Sequence, residues 1–184
     1  MALRVANVTR TEASDERAFD RLFIQEYRRV VAVAYRVLDD AAEAEDVAQE
    51  AFVSFHRSHD PDVPYAAAWL HRAASHLALN AVRTRKRRSK REHDDALARV
   101  RLRDSDSIGL DPAPAAEAGE ERELVRRVLA RMPKRSAQVL ALRYGGLTYA
   151  EVAAALGCRV GDIGTMLRRA EIAFRKELNR ETPQ

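Results

Sequence analysis

One cysteine, Cys158, in 184 residues excludes an intramolecular disulfide framework, and a lone thiol cannot assemble a zinc finger. No stretch approaches the about 18 consecutive apolar residues of a membrane span. Met1–Arg10 has no basic stretch followed by a long apolar core, so no signal peptide is visible. A soluble, cytoplasmic chain without membrane insertion is the expectation. Strand signals are scarce as well: there are seven glycines and few alternating β-branched runs. Abundant Ala, Leu, Arg and Glu favour helix instead. No phosphate loop, dinucleotide fingerprint or nucleophile elbow appears. His56 and His59, His71 and His76, and the distant Cys158 do not supply four converging metal ligands. The acids are too numerous and too solvated in pattern to nominate an acid/base pair. No catalytic centre, metal or cofactor is expected.

What is present is an apolar fraction of 46%, enough for folded modules, and a charged fraction of 33%. The formal net charge of +4 conceals a strong asymmetry. Arg83–Arg91 reads RTRKRRSKR, with seven basic residues and no acid. Asp104–Glu123 carries seven acids against Arg122, together with Ser, Gly and Pro, and has no helical apolar stripe before Leu124. It reads as a flexible, self-repelling tether. Scattered Arg and Glu are ordinarily a solvated helix face. Seven positive charges in nine residues repel one another, however, and point to a polyanion partner. Nucleic acid is the first candidate. An anionic membrane would want an amphipathic helix with a bulky apolar face beside the run.

Apolar periodicity predicts helices throughout. Phe19, Leu22, Phe23, Tyr27, Val30, Val31, Ala34 and Leu38 mark a helix over about 15–38. Asp40 followed by Glu43 resembles a capping box opening a second helix to about Arg57, with Ala44, Val47, Ala48, Ala51, Phe52 and Phe55 inward. Two prolines, Pro61 and Pro64, break the pattern, and Pro64 suits the first turn of a third helix. That helix carries Ala67, Leu70, Ala74, Leu77, Ala78, Ala81 and Val82 into the basic run. In the C-terminal part, Leu124–Leu129 and Ala137–Tyr144 mark two more helices. Thr148 and Glu151 form a second capping-box match, Gly157 suits a left-handed helix end, and Val160, Ile163, Leu167, Ala170 and Phe174 line a last helix to about Leu178. A short capped helix, a Gly-centred turn and an Arg-rich helix make a helix-turn-helix arrangement. The expected fold is all-α. Two small helical domains, 13–92 and 119–180, are joined by a flexible acidic linker, 93–118.

The segment Glu43-Ala-Glu-Asp-Val-Ala-Gln-Glu-Ala-Phe52 resembles a signature of the extracytoplasmic-function sigma factors of bacterial RNA polymerase. Trp69-Leu-His-Arg72, ahead of a basic tract, resembles the Trp-Leu segment of their promoter-melting helix. Met132-Pro133, Leu140, Tyr149–Gly157 and Arg169-Ala170 resemble their second conserved domain. The resemblance covers roughly 15–92 and 119–179, in matching order and spacing.

The resemblance implies an alternative sigma factor, with core RNA polymerase and promoter DNA as partners and an anti-sigma factor holding both domains in check. It implies polymerase binding through Glu45, Asp46, Gln49, Glu50 and Phe52, with Phe52 packing inward or at the rim. It assigns the −10 element to His59, Asp60, Trp69, His76, Asn80, Arg83, Arg85, Lys86, Arg87 and Arg88. Within that set the basic run grips phosphate without reading sequence, while Trp69 is either a core anchor or a stacking platform. The −35 element falls to Arg159, Asp162, Thr165, Arg168 and Arg169 on the outer face of the last helix. The acidic tether would mimic RNA in the polymerase cleft, or be a plain spacer. The chain departs from the usual family pattern at Asp162 and Gly164-Thr165-Met166, and again at Ser75-His76 and Asn80, so the promoter sequences read are open. The rival reading is a stand-alone helix-turn-helix regulator, which leaves the acidic second helix and the tether without a purpose. A nucleic-acid-processing enzyme is more distant, because no nucleophile or metal-carboxylate constellation is present.

Overall fold

The computed structural model describes residues 2–100 and 114–182, which form seven α-helices and no strand. The N-terminal unit holds α1 (Ala2–Leu38), α2 (Ala41–Ser58) and α3 (Ala66–Val100). The C-terminal unit holds α4 (Pro114–Arg131), α5 (Lys134–Tyr144), α6 (Tyr149–Leu156) and α7 (Val160–Glu181). Among the described residues no helix is long and apolar enough to cross a membrane.

Several helices outrun their apolar stripes. α1 begins at Ala2 rather than about 15, α3 continues through the basic run to Val100, and α4 starts at Pro114, upstream of Leu124. The added residues are mostly Ala, Arg, Glu and Leu, which favour helix by propensity, and proline suits a first helical position. The acidic stretch is thus helical at its C-terminal side, while residues 101–113 lie outside the described residues.

Local chemistry sets the corners. α1 stops at Asp39, whose φ of 49° is left-handed, and Asp40 caps α2 by accepting from the Glu43 amide at 3.0 Å. Only half of the expected capping box forms there, because the Glu43 carboxylate pairs with Arg85 of α3 instead. At α6 the box is complete. Thr148 Oγ1 accepts from the Glu151 amide at 3.3 Å, and Glu151 Oε2 accepts from the Thr148 amide at 2.8 Å. Gly157 then ends α6 at φ 62°, a conformation cheap only for glycine.

The N-terminal core joins Leu22, Val30, Ala34 and Leu38 of α1 to Phe52 and Phe55 of α2 and Leu70, Ala74, Leu79 and Val82 of α3. The C-terminal core is built from Val128, Met132, Val139, Leu142, Leu147, Val152, Leu156, Ile163, Leu167 and Ala170. The two form one continuous cluster. Val33 and Val37, outside the predicted stripe of α1, are 0% and 1% exposed. The cause lies in the other unit: at Gly145, which follows α5, a Cβ would sit 2.9 Å from the Val33 Cα, so backbone meets backbone there. Some stripe positions go the other way, Phe23 and Val125 among them at 37% and 40% exposed. Val160 is 51% exposed, because the first residue of α7 overhangs the turn before it, and Ala81 faces outward.

Candidate nucleic-acid and protein interfaces

On α2 the apolar residues turn inward and leave Glu45, Asp46, Gln49 and Glu50 exposed. Their spacing keeps them on one side of the helix. Exposed Val53 continues that face by one turn, an apolar member that the acidic pattern did not reveal. Phe52 takes the inward of its two expected positions. It is 2% exposed, with its ring 5.0 Å from Phe23 and 6.1 Å from both Phe19 and Tyr27. It anchors α2 and presents no surface itself.

The loop after α2 is organised by stacking. His59 lies flat on Phe55 at 5.0 Å, 4.9 Å from Trp69 and edge-on to Tyr65, while Ser58 Oγ is 2.9 Å from its Nδ1. Trp69 packs on Phe55 at 5.4 Å yet is only partly buried, so it joins the core while part of its ring stays open to solvent. Asp60 is exposed and accepts from the Asp62 amide at 2.9 Å; Asp62 in turn pairs with Arg21 at 3.3 Å. Asp60 therefore shapes the loop while its remaining oxygens face solvent.

A groove of about 480 Å³ runs between α2, α3 and α5, lined by Glu50, Trp69, Arg72, His76, Lys134 and Gln138 among others. His76 Nε2 is 3.4 Å from the Asn80 amide nitrogen and 3.4 Å from Lys134 Nζ. Desolvation, then Lys134, Arg72 and Arg83, hold the His76 imidazole below its ordinary pKa.

The basic run does not simply face solvent. Arg83 donates to the Met132 carbonyl at 3.0 Å and the Ala130 carbonyl at 3.4 Å, capping the C-terminal end of α4. Arg85 pairs with Glu43. Lys86 buries its Nζ without a hydrogen-bond partner, in the field of Arg127 and Arg131 from α4 and Glu177 and Glu181 from α7. Desolvation, then Arg131, lowers its pKa. Arg87 donates to Thr84 at 3.2 Å, and both Arg87 and Arg88 are exposed.

A polar chain, buried at His71 and partly exposed at its far end, runs beside these groups. His71, 1% exposed, has Nε2 2.9 Å from Glu26 Oε2. Burial outweighs the attraction of Glu26 and lowers the His71 pKa. Glu26 also pairs with Arg29 at 3.4 Å, and Arg29 reaches Glu151 of α6. The Arg29 guanidinium, then the Thr148 amide, hold the Glu151 carboxyl down at about 2. Arg29 is raised in turn, chiefly by Glu151. Nothing in the local pattern of α1 distinguishes Arg29 from a solvated arginine, because its partner is 122 positions away.

On α7, Ile163, Leu167 and Ala170 are buried, while Arg159, just before the helix, and Asp162, Thr165, Arg168 and Arg169 are exposed. The five positions assigned to one nucleic-acid contact thus share the outer surface. Gly161 and Gly164 lie there too, with nothing within 4 Å of a Cβ added at either. Their lack of a side chain serves no packing purpose.

Family models match two parts of the chain: sigma-70 region 2 over residues 22–88 and sigma-70 region 4 over residues 122–173. The RNA polymerase sigma-H factor of Pseudomonas aeruginosa is 30% identical over 93% of this chain and 91% of its own length. The ECF RNA polymerase sigma-E factor of Escherichia coli is 28% identical over 91% of this chain and 90% of its own length. Among solved structures, CnrH in complex with the cytosolic domain of CnrY shares the fold with a TM-score of 0.53 at 21% identity, covering 95% of this chain and 96% of that one.

Proposed function

The chain belongs to the extracytoplasmic-function sigma factors of RNA polymerase, and we propose that it docks on core polymerase through α2 and reads a promoter with α3 and α7. The observation that carries the assignment of surfaces is their order in one chain: an acidic face on α2, the cation-bearing α3, then a helix-turn-helix in α6–α7 with its outer face exposed. A stand-alone regulator needs only the last of these.

Glu45, Asp46, Gln49 and Glu50 offer three carboxylates and an amide to basic side chains of polymerase, with Val53 as an apolar neighbour. Phe52 holds that face in place. In the −10 contact, the His59–Trp69–Tyr65 group offers aromatic faces to unstacked bases, with Asp60, His76 and Asn80 giving hydrogen bonds beside it. Arg83, Arg85, Lys86, Arg87 and Arg88 supply phosphate contacts that position without specifying. For the −35 contact, Arg159, Asp162, Thr165, Arg168 and Arg169 face the major groove. The modules so used are 13–92 and 119–180. The chain performs no chemistry itself, since nucleotidyl transfer is the polymerase's, and it works in the cytoplasm. An anti-sigma factor restrains it; CnrH, which shares this fold, was solved with the cytosolic domain of CnrY.

Adding the chain to core polymerase and scoring promoter-dependent transcripts tests the reading. Transcripts that need the chain, together with co-elution of chain and polymerase, are expected. A genomic template set that yields neither overturns it.

A further inference from the structure

The side chains that α7 turns outward are held by nothing else in the described fold. Ile163, Leu167 and Ala170 fix the buried side of the helix. At about 100° per residue, Gly161, Asp162, Thr165, Arg168 and Arg169 fall opposite them, and all five are exposed. No hydrogen bond or ion pair to another described residue engages the side chains of Asp162, Thr165, Arg168 or Arg169. Arg126, Arg127 and Arg131 of α4, by contrast, each pair with an acid.

Asp162 is the member of this face that needs a reason. A carboxylate in the first turn suits the positive end of the helix dipole. Here, however, it stands beside the cations of a surface assigned to DNA, where phosphates repel it. That repulsion is offset only where the carboxylate, which accepts and cannot donate, meets a donor. In the major groove guanine offers N7 and O6 and thymine offers O4, all of them acceptors. Adenine sets its N6 donor beside the N7 acceptor, an arrangement that fits a side-chain amide and repels a carboxylate. Cytosine presents its N4 donor without an acceptor of its own beside it.

Reach points the same way. Aspartate and threonine are short, so α7 must lie deep in the groove for either to touch a base. Gly161 precedes Asp162 and Gly164 precedes Thr165, and an added Cβ at either glycine meets nothing within 4 Å. The helix surface beside both short side chains is therefore bare backbone, which allows a close approach. Thr165 lies three residues, or about 4.5 Å, along the axis from Asp162, against about 3.4 Å per base pair. The two thus address adjacent pairs.

We propose, resting on the −35 reading of α7 given above, that Asp162 selects one base of that element by accepting from the N4 amine of a cytosine. Thr165 sets its methyl group against the C5-methyl of a thymine at the adjacent pair. Arg168 and Arg169, a turn further on, position the helix through phosphate.

The test uses the holoenzyme formed by the full chain and core polymerase. A promoter found in the transcription assay above is randomised across its −35 segment, and the templates transcribed are sequenced. One position is expected to favour cytosine by at least about fivefold. Asp162→Asn should convert that preference to adenine, since the new amide donates to N7 while its oxygen accepts from N6. Asp162→Ala should lower the cytosine preference below about twofold. An aspartate that serves only the helix dipole predicts no change of base in either variant. Thr165→Ser should lose the neighbouring thymine preference, which Thr165→Val keeps. The same base choice in the natural chain and in both Asp162 variants overturns the proposal. Arg168→Ala with Arg169→Ala separates it from the reading beneath. Lost use of the −35 segment in that variant, with base choice unmoved by Asp162, removes Asp162 alone. Full use of the segment by the arginine variant removes α7 from the −35 element, and the base assignment with it.

Discussion

α2 and α3 are neighbours in one unit, yet their charged surfaces stand in opposite conditions. The acidic face of α2 carries Glu45, Asp46, Gln49 and Glu50 exposed to solvent. Three cations of α3 are turned to internal use, Arg83 on carbonyls of α4, Arg85 on Glu43, and Lys86 among the charges of α4 and α7, while Arg87 and Arg88 are exposed. One surface is open to solvent, whereas three cations of the other are engaged within the chain.

The comparison breaks most completely at Phe52. Phe52→Ala empties a space packed by Phe19, Phe23 and Tyr27 and should cost about 3–5 kcal/mol of stability, read by thermal melting, with polymerase binding lost alongside. Normal stability with lost binding would make Phe52 a contact instead. Next in size, Asp46→Lys with Gln49→Ala is expected to weaken polymerase binding by about 2–3 kcal/mol, or 30- to 150-fold, while circular dichroism stays unchanged. Persistent binding in a pull-down would remove the acidic face from the interface.

A smaller effect falls on the link between units. Glu151→Gln loses the charge that pairs with Arg29 and weakens the α6 cap, for about 1 kcal/mol by chemical denaturation. The same carboxyl gives a pH dependence. Its pKa is depressed to about 2, so the unfolded chain binds the extra proton; the stabilisation is present above the ordinary carboxylate pKa and is lost as pH falls towards 2. Acid titration of the natural chain against Glu151→Gln should show the two curves converging at low pH. His71 adds a loss at milder acidity. Its pKa is lowered by burial, so its contribution is present above the ordinary imidazole pKa and declines as pH falls below it. The smallest effect is a gain: Gly164→Ala should add up to about 1 kcal/mol, because no neighbour meets the new Cβ and alanine holds helix better.

Within each unit the sequence carried most of the fold. The Thr148–Glu151 box, Gly157 and the inward Ile163–Leu167–Ala170 stripe are signals that act over three to seven residues, and each appears in the structure. So does the division of α2 into an apolar and an acidic side. Where local signals compete with distant ones, the reading weakened. Glu43 left its own cap for Arg85, and Val33 is covered by Gly145 at the end of α5, far along the chain. That the polar positions of α7 and α2 face outward was legible, because periodicity assigns the outside once the inside is known. The engagement of Arg83 and Lys86 was not, since a run of basic residues looks the same whether it faces water or a carboxylate.

By itself, then, the chain's order of residues determined seven helical segments in outline, two units, an acidic face followed by a basic run, and a helix-turn-helix. Helix periodicity, capping and turn chemistry are local, and local chemistry can be read in one dimension. Only the tertiary structure decided that the units share one core and that Arg29 meets Glu151 across them. It alone turned two members of the basic run, Arg83 and Lys86, upon the C-terminal unit. Those contacts join residues 42 to 122 positions apart, where pairing depends on geometry that no spacing along the chain records.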